Sequence, residues 1–355
     1  MAAPSSPSPS APVSARDERR LRRFALAALV TNVAIVFTGG IVRVTGSGLG
    51  CPDWPRCDGA SLTPTLGAEG QGWHELIEFG NRLLTFVVLA AAVAVFVQVR
   101  RTRPHPPLVE AMAWALPLGV VAQALLGGVT VLTGLSPYTV AAHFLLSMAL
   151  IAAAVVLHER VRVPRTLVAT GTPEEVPGRG LQYATTALLV VAAVVLVLGT
   201  VVTGAGPHGG DVSAPRFGVD IRTMAIAHAD AVWALVGLTV ALVAVTWRSG
   251  PPPLRRAIRV LLVVELAQGA LGYTQYALGI PAWLVAGHIL GAALMWAAAV
   301  TVWIRARPVT AHPAATSASG TGAARTTSST AGAAPAEGGT ATAGERRDVA
   351  PARDR

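Results

Sequence analysis

The chain has 355 residues, of which 52% are hydrophobic and 13% charged, with a mean hydropathy of +0.54; soluble domains carry about 25% charged residues, so a soluble globular fold is excluded. The net charge of +9 comes from arginine alone, since there is no lysine. A pI of about 11.0 would suit nucleic acid, but the arginines flank long apolar runs, which is the signature of a membrane protein rather than a nucleic-acid partner.

In chain order, residues 1–22 read as a disordered cytoplasmic tail rich in Ala, Pro and Ser. Apolar runs long enough to cross about 30 Å of hydrocarbon follow at 24–43, 81–99, 108–133 and 138–158, inside a first four-helix half, 23–165. A cytoplasmic linker, 166–182, leads to runs at 183–204, 223–247, 255–278 and 282–304 in a second half, 183–305, and residues 306–355 read as a second disordered tail. The first run is followed at once by a Gly-rich loop and is too long for a cleavable signal, so it is expected to remain as a membrane anchor. The predicted fold is an all-α integral membrane protein with eight transmembrane helices.

Arginines precede the first run (Arg16, Arg19, Arg20, Arg22, Arg23) and follow the second (Arg100, Arg101, Arg103), fourth (Arg160, Arg162, Arg165), sixth (Arg248, Arg255, Arg256, Arg259) and eighth (Arg305, Arg307). Every second connection is basic. The positive-inside rule then puts both termini in the cytoplasm of a multi-pass cell-membrane protein in contact with lipid, with the loops at 44–80, 134–137, 205–222 and 279–281 outside.

The outer loop GGIVRVTGSGLGCPDWPRC contains the only two cysteines, Cys51 and Cys57. On the outer side a disulfide forms and persists, and closing so short a loop contributes roughly 2–3 kcal/mol. A loop staple and a thiol-exchange role both fit the spacing.

The halves repeat. AQALLGGVTVLTG (122–134) matches AQGALGYTQYALG (267–279), and VAAHFLLSMALIAAAV (140–155) matches VAGHILGAALMWAAAV (285–300), both at an offset of 145. Two tandem units with an even number of spans enter the membrane in the same direction, which predicts two four-helix bundles related by a pseudo-two-fold axis along the membrane normal.

Intramembrane histidines are functional by default. His143 and His288 occupy equivalent positions of the two halves, and His228 lies near the outer end of the second helix of the C-terminal half. Two imidazoles at matching depth on facing helices, His228 and His288, are a haem site of the bis-histidine kind; zinc would find only these two ligands and Asp230 nearby. In the N-terminal half the position matching His228 is Asn81, in the segment HELIEFGNRLLTF, with Glu78 one turn before it and Arg82 beside it. That half offers one histidine, an acid and an amide, so one face of a bound haem is left for chemistry. An ion pair between Glu78 and Arg82 with no further role also fits.

Taken in order, VRVTGSGLGCPDWPRC, IEFGNR, VAAHFLL, AIAHADA and VAGHILG resemble the haem A synthase family, in its actinobacterial form, over about residues 24–304. The resemblance implies an eight-span oxidoreductase that oxidises a methyl group of haem O, received from haem O synthase, to the formyl group of haem A for cytochrome oxidase assembly. It implies a haem b cofactor on His228 and His288, a substrate haem in the N-terminal half bound by His143, with Asn81 and Arg82 in the same site, Glu78 as the catalytic acid, the Cys51–Cys57 pair in the outer loop, and an electron-transfer partner that the sequence does not identify. Asn81 stands where many members have a histidine, and His74 is the other imidazole near that position. Two other classes stay open: a b-type cytochrome that only relays electrons, and a solute transporter.

Overall fold

The computed structural model describes residues 14–57, 59, 61–64, 72–163, 177–248 and 250–308. Among them are eight α-helices: α1 (Ala15–Val44), α2 (Gly72–Arg101), α3 (Pro107–Leu132), α4 (Pro137–Arg162), α5 (Arg179–Ala205), α6 (Ile221–Thr246), α7 (Pro252–Ala277) and α8 (Ala282–Arg305). All eight are long and apolar enough to cross a membrane, and large apolar side chains such as Phe86, Leu118, Val190 and Val263 face outward. A water-facing surface would not carry so many of them, and the protein is a multi-pass helical membrane protein.

Two boundaries differ from the hydropathy reading. α1 begins at Ala15, so the arginine-rich stretch 15–22 expected in the tail is helical: Ser14 caps it through the Asp17 N–H, with Asp17 and Glu18 in the first turn, where acids favour the helix dipole. Leu21 is buried, and Gln98 Nε2 donates to the Asp17 carbonyl at 3.4 Å, joining the start of α1 to the end of α2. α2 begins at Gly72, nine residues before the apolar run (81 − 72). Beyond its first turn Glu78 and Arg82 form an ion pair, while Glu75 Oε2 is buried without a hydrogen-bond partner. The remainder of both tails and most of the linker lie outside the described residues.

Each half closes into a ring. α1 packs on α2 and α4, and α3 on α2 and α4; α5 packs on α6 and α8, and α7 on α6 and α8. In each ring the second and fourth helices are therefore diagonal neighbours that face one another across the centre. The halves meet through α1 with α8, α4 with α8, and α4 with α5. That seam includes a hydrogen bond from Trp296 Nε1 to the Met148 carbonyl at 2.7 Å, and a bidentate pair of Arg305 on Glu159 at 2.7 and 2.9 Å.

The turns that bring the fourth helices to the centre are alike. In both, a left-handed glycine ends the helix, Gly134 (φ 60°) after α3 and Gly279 (φ 73°) after α7, followed by left-handed Leu135 and Ile280, both at φ 59°. The Leu135 N–H donates to the Thr130 carbonyl and the Ile280 N–H to that of Gln275, with the glycine N–H groups on Val131 and Tyr276. This is the Schellman pattern, which satisfies the last carbonyls of a helix.

Candidate functional site

In the C-terminal ring, His228 on α6 and His288 on α8 face each other with ring centroids 6.5 Å apart and planes at 69°. Two imidazoles on one metal, each with a metal–nitrogen distance of about 2.0 Å and about 1.1 Å from nitrogen to ring centre, give a separation of about 6.2 Å. His228 Nδ1 is 3.1 Å from the Val195 carbonyl, which fixes the ring and its tautomer and leaves Nε2 as the free ligand atom. His288 Nδ1 is buried without a partner, so no hydrogen bond accounts for the inward position of this ring.

Glycines make room for both imidazoles. A Cβ on Gly199 would lie 3.2 Å from His228 Cε1, and one on Gly272 would lie 3.4 Å from His288 Cε1. Gln268 Nε2 donates to the His288 carbonyl at 2.9 Å, holding that turn of α8. Among the described residues no three His, Cys, Asp or Glu side chains converge as a metal cluster. Two facing nitrogens without a third protein ligand suit an iron whose equatorial positions a porphyrin fills, so the residues present fit a haem.

The N-terminal ring repeats half of this arrangement. His143 on α4 lies against Gly127, where a Cβ would be 3.2 Å from its Cε1; Gln123 Nε2 donates to the His143 carbonyl at 3.0 Å, and His143 Nδ1 is buried without a partner. The diagonal helix, α2, carries Glu78, Asn81 and Arg82 in place of a second imidazole. The Asn81 Oδ1 accepts from Thr38 Oγ1 of α1 at 2.7 Å, so its one oxygen capable of ligating iron is engaged.

Glu78 and Arg82 form a tightly connected unit with the cysteine loop. Cys51 and Cys57 are disulfide-bonded and buried. Glu78 Oε2 accepts the Cys51 N–H at 2.7 Å, and Oε1 accepts Arg82 Nη2 at 2.5 Å and Nε at 3.1 Å. Arg82 also donates to the carbonyls of Cys51 (2.7 Å), Arg56 (2.9 Å) and Asp53 (3.2 Å). All five of its N–H groups are thus engaged, and Arg82 braces the loop against α2. Trp54, at the tip of this loop, packs on α3 so closely that a Cβ on Gly128 would meet its ring at 2.5 Å. Gly127, the residue before Gly128, faces the His143 ring instead. His74 is held elsewhere, with Nδ1 2.9 Å from Ser47 Oγ and its ring stacked on Trp73.

Sequence reasoning missed Thr38, Trp54 and the glycines that lie against the histidine rings. One signal was available: Gly127 precedes His143 by the same sixteen residues as Gly272 precedes His288 (143 − 127 and 288 − 272).

Fold and site together define a multi-pass helical membrane protein with a paired-histidine centre in one ring and a single histidine, diagonal to a buried carboxylate, in the other. Over residues 22–300 the chain matches the model of the family described as cytochrome oxidase assembly protein, and it belongs to that family. It is 35% identical over 140 residues to the heme A synthase of Lysinibacillus sphaericus (strain C3-41), covering 39% of this chain and 44% of that protein. It is 31% identical over 133 residues to the heme A synthase of Geobacillus thermodenitrificans (37% and 40%), and 32% identical over 158 residues to that of Methylobacterium sp. (strain 4-46) (42% and 43%). The matched stretches span less than half the length of these curated relatives.

Proposed function

We propose that the protein is a haem A synthase, which oxidises a methyl group of haem O to the formyl group of haem A. The observation that carries this reading is the asymmetry between the rings: two facing imidazoles at 6.5 Å in one, and one imidazole with a buried carboxylate on the diagonal helix in the other. A protein that only relays electrons has no use for the second arrangement, and a transporter has no use for the first.

In this reading the C-terminal half, 183–305, holds a resident haem b on His228 and His288, and the N-terminal half, 23–165, receives haem O on His143. The two halves are a tandem duplication about a pseudo-two-fold axis; the matched turns, the Gln123 and Gln268 bonds and the equivalent helix contacts support it. The haem b supplies one-electron chemistry when bound. The chain's own residues do the rest. His143 orients the substrate from one face, leaving the other without a histidine, since Asn81 is turned to Thr38. Glu78, held by the Cys51 N–H and Arg82, supplies a fixed negative charge that stabilises positive charge developing on the substrate as its methyl carbon loses electrons. Trp54 and the stapled loop cover this half and keep water out. Haem O arrives from haem O synthase, haem A goes to cytochrome oxidase assembly, and an external redox partner completes the electron balance. The arginine pattern supports a cell-membrane location with both termini cytoplasmic and the disulfide loop outside.

Haem extraction from the purified protein tests the reading. One haem b with variable haem O and haem A is expected, and His228→Ala or His288→Ala removes the low-spin haem b spectrum. Haem b alone, in cells that make haem O, would leave a relay cytochrome as the better reading.

A further inference from the structure

Midway along α7, Glu265 is 3% exposed, with Oε1 2.9 Å from Thr239 Oγ1 of α6 and Oε2 buried without any hydrogen-bond partner. The same Thr239 hydroxyl lies 3.0 Å from the Leu235 carbonyl. A hydroxyl carries one proton. With that proton on Glu265 Oε1 it is the carboxyl's one hydrogen bond among the described residues; with the proton on the Leu235 carbonyl, the carboxyl must itself be the donor. No cation forms an ion pair with Glu265 among the described residues, and an ionised carboxylate in the hydrocarbon layer would be uncompensated.

Position links this acid to the paired histidines. Glu265, Gln268, Gly272 and Gln275 follow a 3–4–3 spacing and share one face of α7. Gln268 holds the His288 carbonyl, and Gly272 lies against the His288 ring. Glu265 is seven residues from Gly272 (272 − 265), about 10 Å along the axis. The equivalent face of α3 reads Val120, Gln123, Gly127 and Thr130: the ring without a histidine pair has valine in place of the acid, so the fold itself does not require Glu265. The other titratable or charged groups on the helices against α7 are Arg222, His228 and Asp230 of α6 and His288 and Arg305 of α8; Arg305 is bound to Glu159. On α7 itself, Arg255, Arg256 and Arg259 lie at the opposite end from Gly272.

We propose that Glu265 is a proton-bearing group coupled to the redox state of the iron held by His228 and His288. This rests on the bis-histidine haem reading. When an external one-electron acceptor oxidises the centre, its gain of positive charge favours loss of the Glu265 proton to solvent, and the carboxylate offsets that charge. When a one-electron donor reduces it, the proton returns. At an effective dielectric constant of about 20, a unit charge at that axial offset of about 10 Å changes the proton affinity by about tenfold, and the lateral offset of the iron from α7 reduces the effect.

The test is an optical redox titration of the low-spin haem in the purified holoprotein, with small-molecule mediators, from mildly acidic to mildly alkaline pH. The wild-type midpoint potential is expected to fall as pH rises, and Glu265→Gln, which keeps a hydrogen bond to Thr239 but has no proton to release, loses that slope with an unchanged spectrum. Glu265→Asp, the control for a Gln variant that does not fold, keeps the slope but moves its pH range. A pH-independent wild-type potential, the same slope in wild type and Glu265→Gln, or an Asp variant identical to wild type overturns the proposal. Folded wild-type protein without low-spin haem overturns instead the bis-histidine reading beneath it.

Discussion

Replacing Arg82 with glutamine tests whether Glu78 and the disulfide loop behave as one unit. The guanidinium makes five hydrogen bonds, two to Glu78 and three to the carbonyls of Cys51, Asp53 and Arg56, and glutamine supplies at most two N–H groups. Glu78, whose side chain is 7% exposed, would keep only the Cys51 N–H as a partner. Leaving a fully buried charge unpaired costs about 3–5 kcal/mol. The Arg82 side chain is 23% exposed, so water reaches the gap, and about 2–3 kcal/mol is the better figure. At 1.4 kcal/mol per tenfold, opening of the loop becomes about 30- to 140-fold more frequent. Cys51 and Cys57 are 0% and 2% exposed, so their disulfide is reduced only through such openings. The assay is the rate of reduction by a membrane-impermeant reductant in native membranes. Arg82→Gln should accelerate it about 30- to 140-fold, and adding Glu78→Gln should restore most of the protection because no orphaned charge remains. A rate within about twofold of wild type, or strictly additive single effects, would refute the reasoning.

Three further outcomes are expected. Glu78→Gln keeps the shape and removes the charge, so haem O still binds while oxidation slows by about 10²- to 10³-fold, read as haem O or its alcohol accumulating in extracts; haem A made at the normal rate would give Glu78 a purely structural role. Asn81→His, placed opposite His143, should move the bound substrate haem toward a two-histidine, low-spin spectrum, and an unchanged spectrum would mean that this position does not face the iron. In intact cells an impermeant maleimide should label Cys51 and Cys57 only after reduction; labelling only after lysis would reverse the proposed orientation.

Much of the fold was legible because its determinants are local and repeated. Eight apolar runs fixed eight helices, and the 145-residue offset anticipated matched turns at Gly134 and Gly279. Boundaries failed where polar residues are satisfied within the protein: in the polar start of α2, Glu78 pairs with Arg82 one turn on, and both bond to the loop at Cys51, which hydropathy cannot register. The pairing of His228 with His288 followed from equal depth on two helices. The engagement of Asn81 by Thr38 did not, since it depends on the rotation of α1 against α2. The bracing of the loop by Arg82 was hidden for the same reason: its loop acceptors lie 26 to 31 residues away, a separation that leaves no mark on a helical pattern. Glu265 stood in plain sight as a lone acid in an apolar run, and only its Thr239 contact and its place on the α7 face that carries Gln268 and Gly272 gave it meaning.

The most direct test of the central claim is expression of the chain in cells that make haem O but lack any haem A synthase, followed by extraction and identification of the haems in their membranes. Haem A, with low-spin haem b on the purified protein, is the predicted result. Membranes that hold haem O and no haem A, while the protein itself carries low-spin haem b, would contradict it.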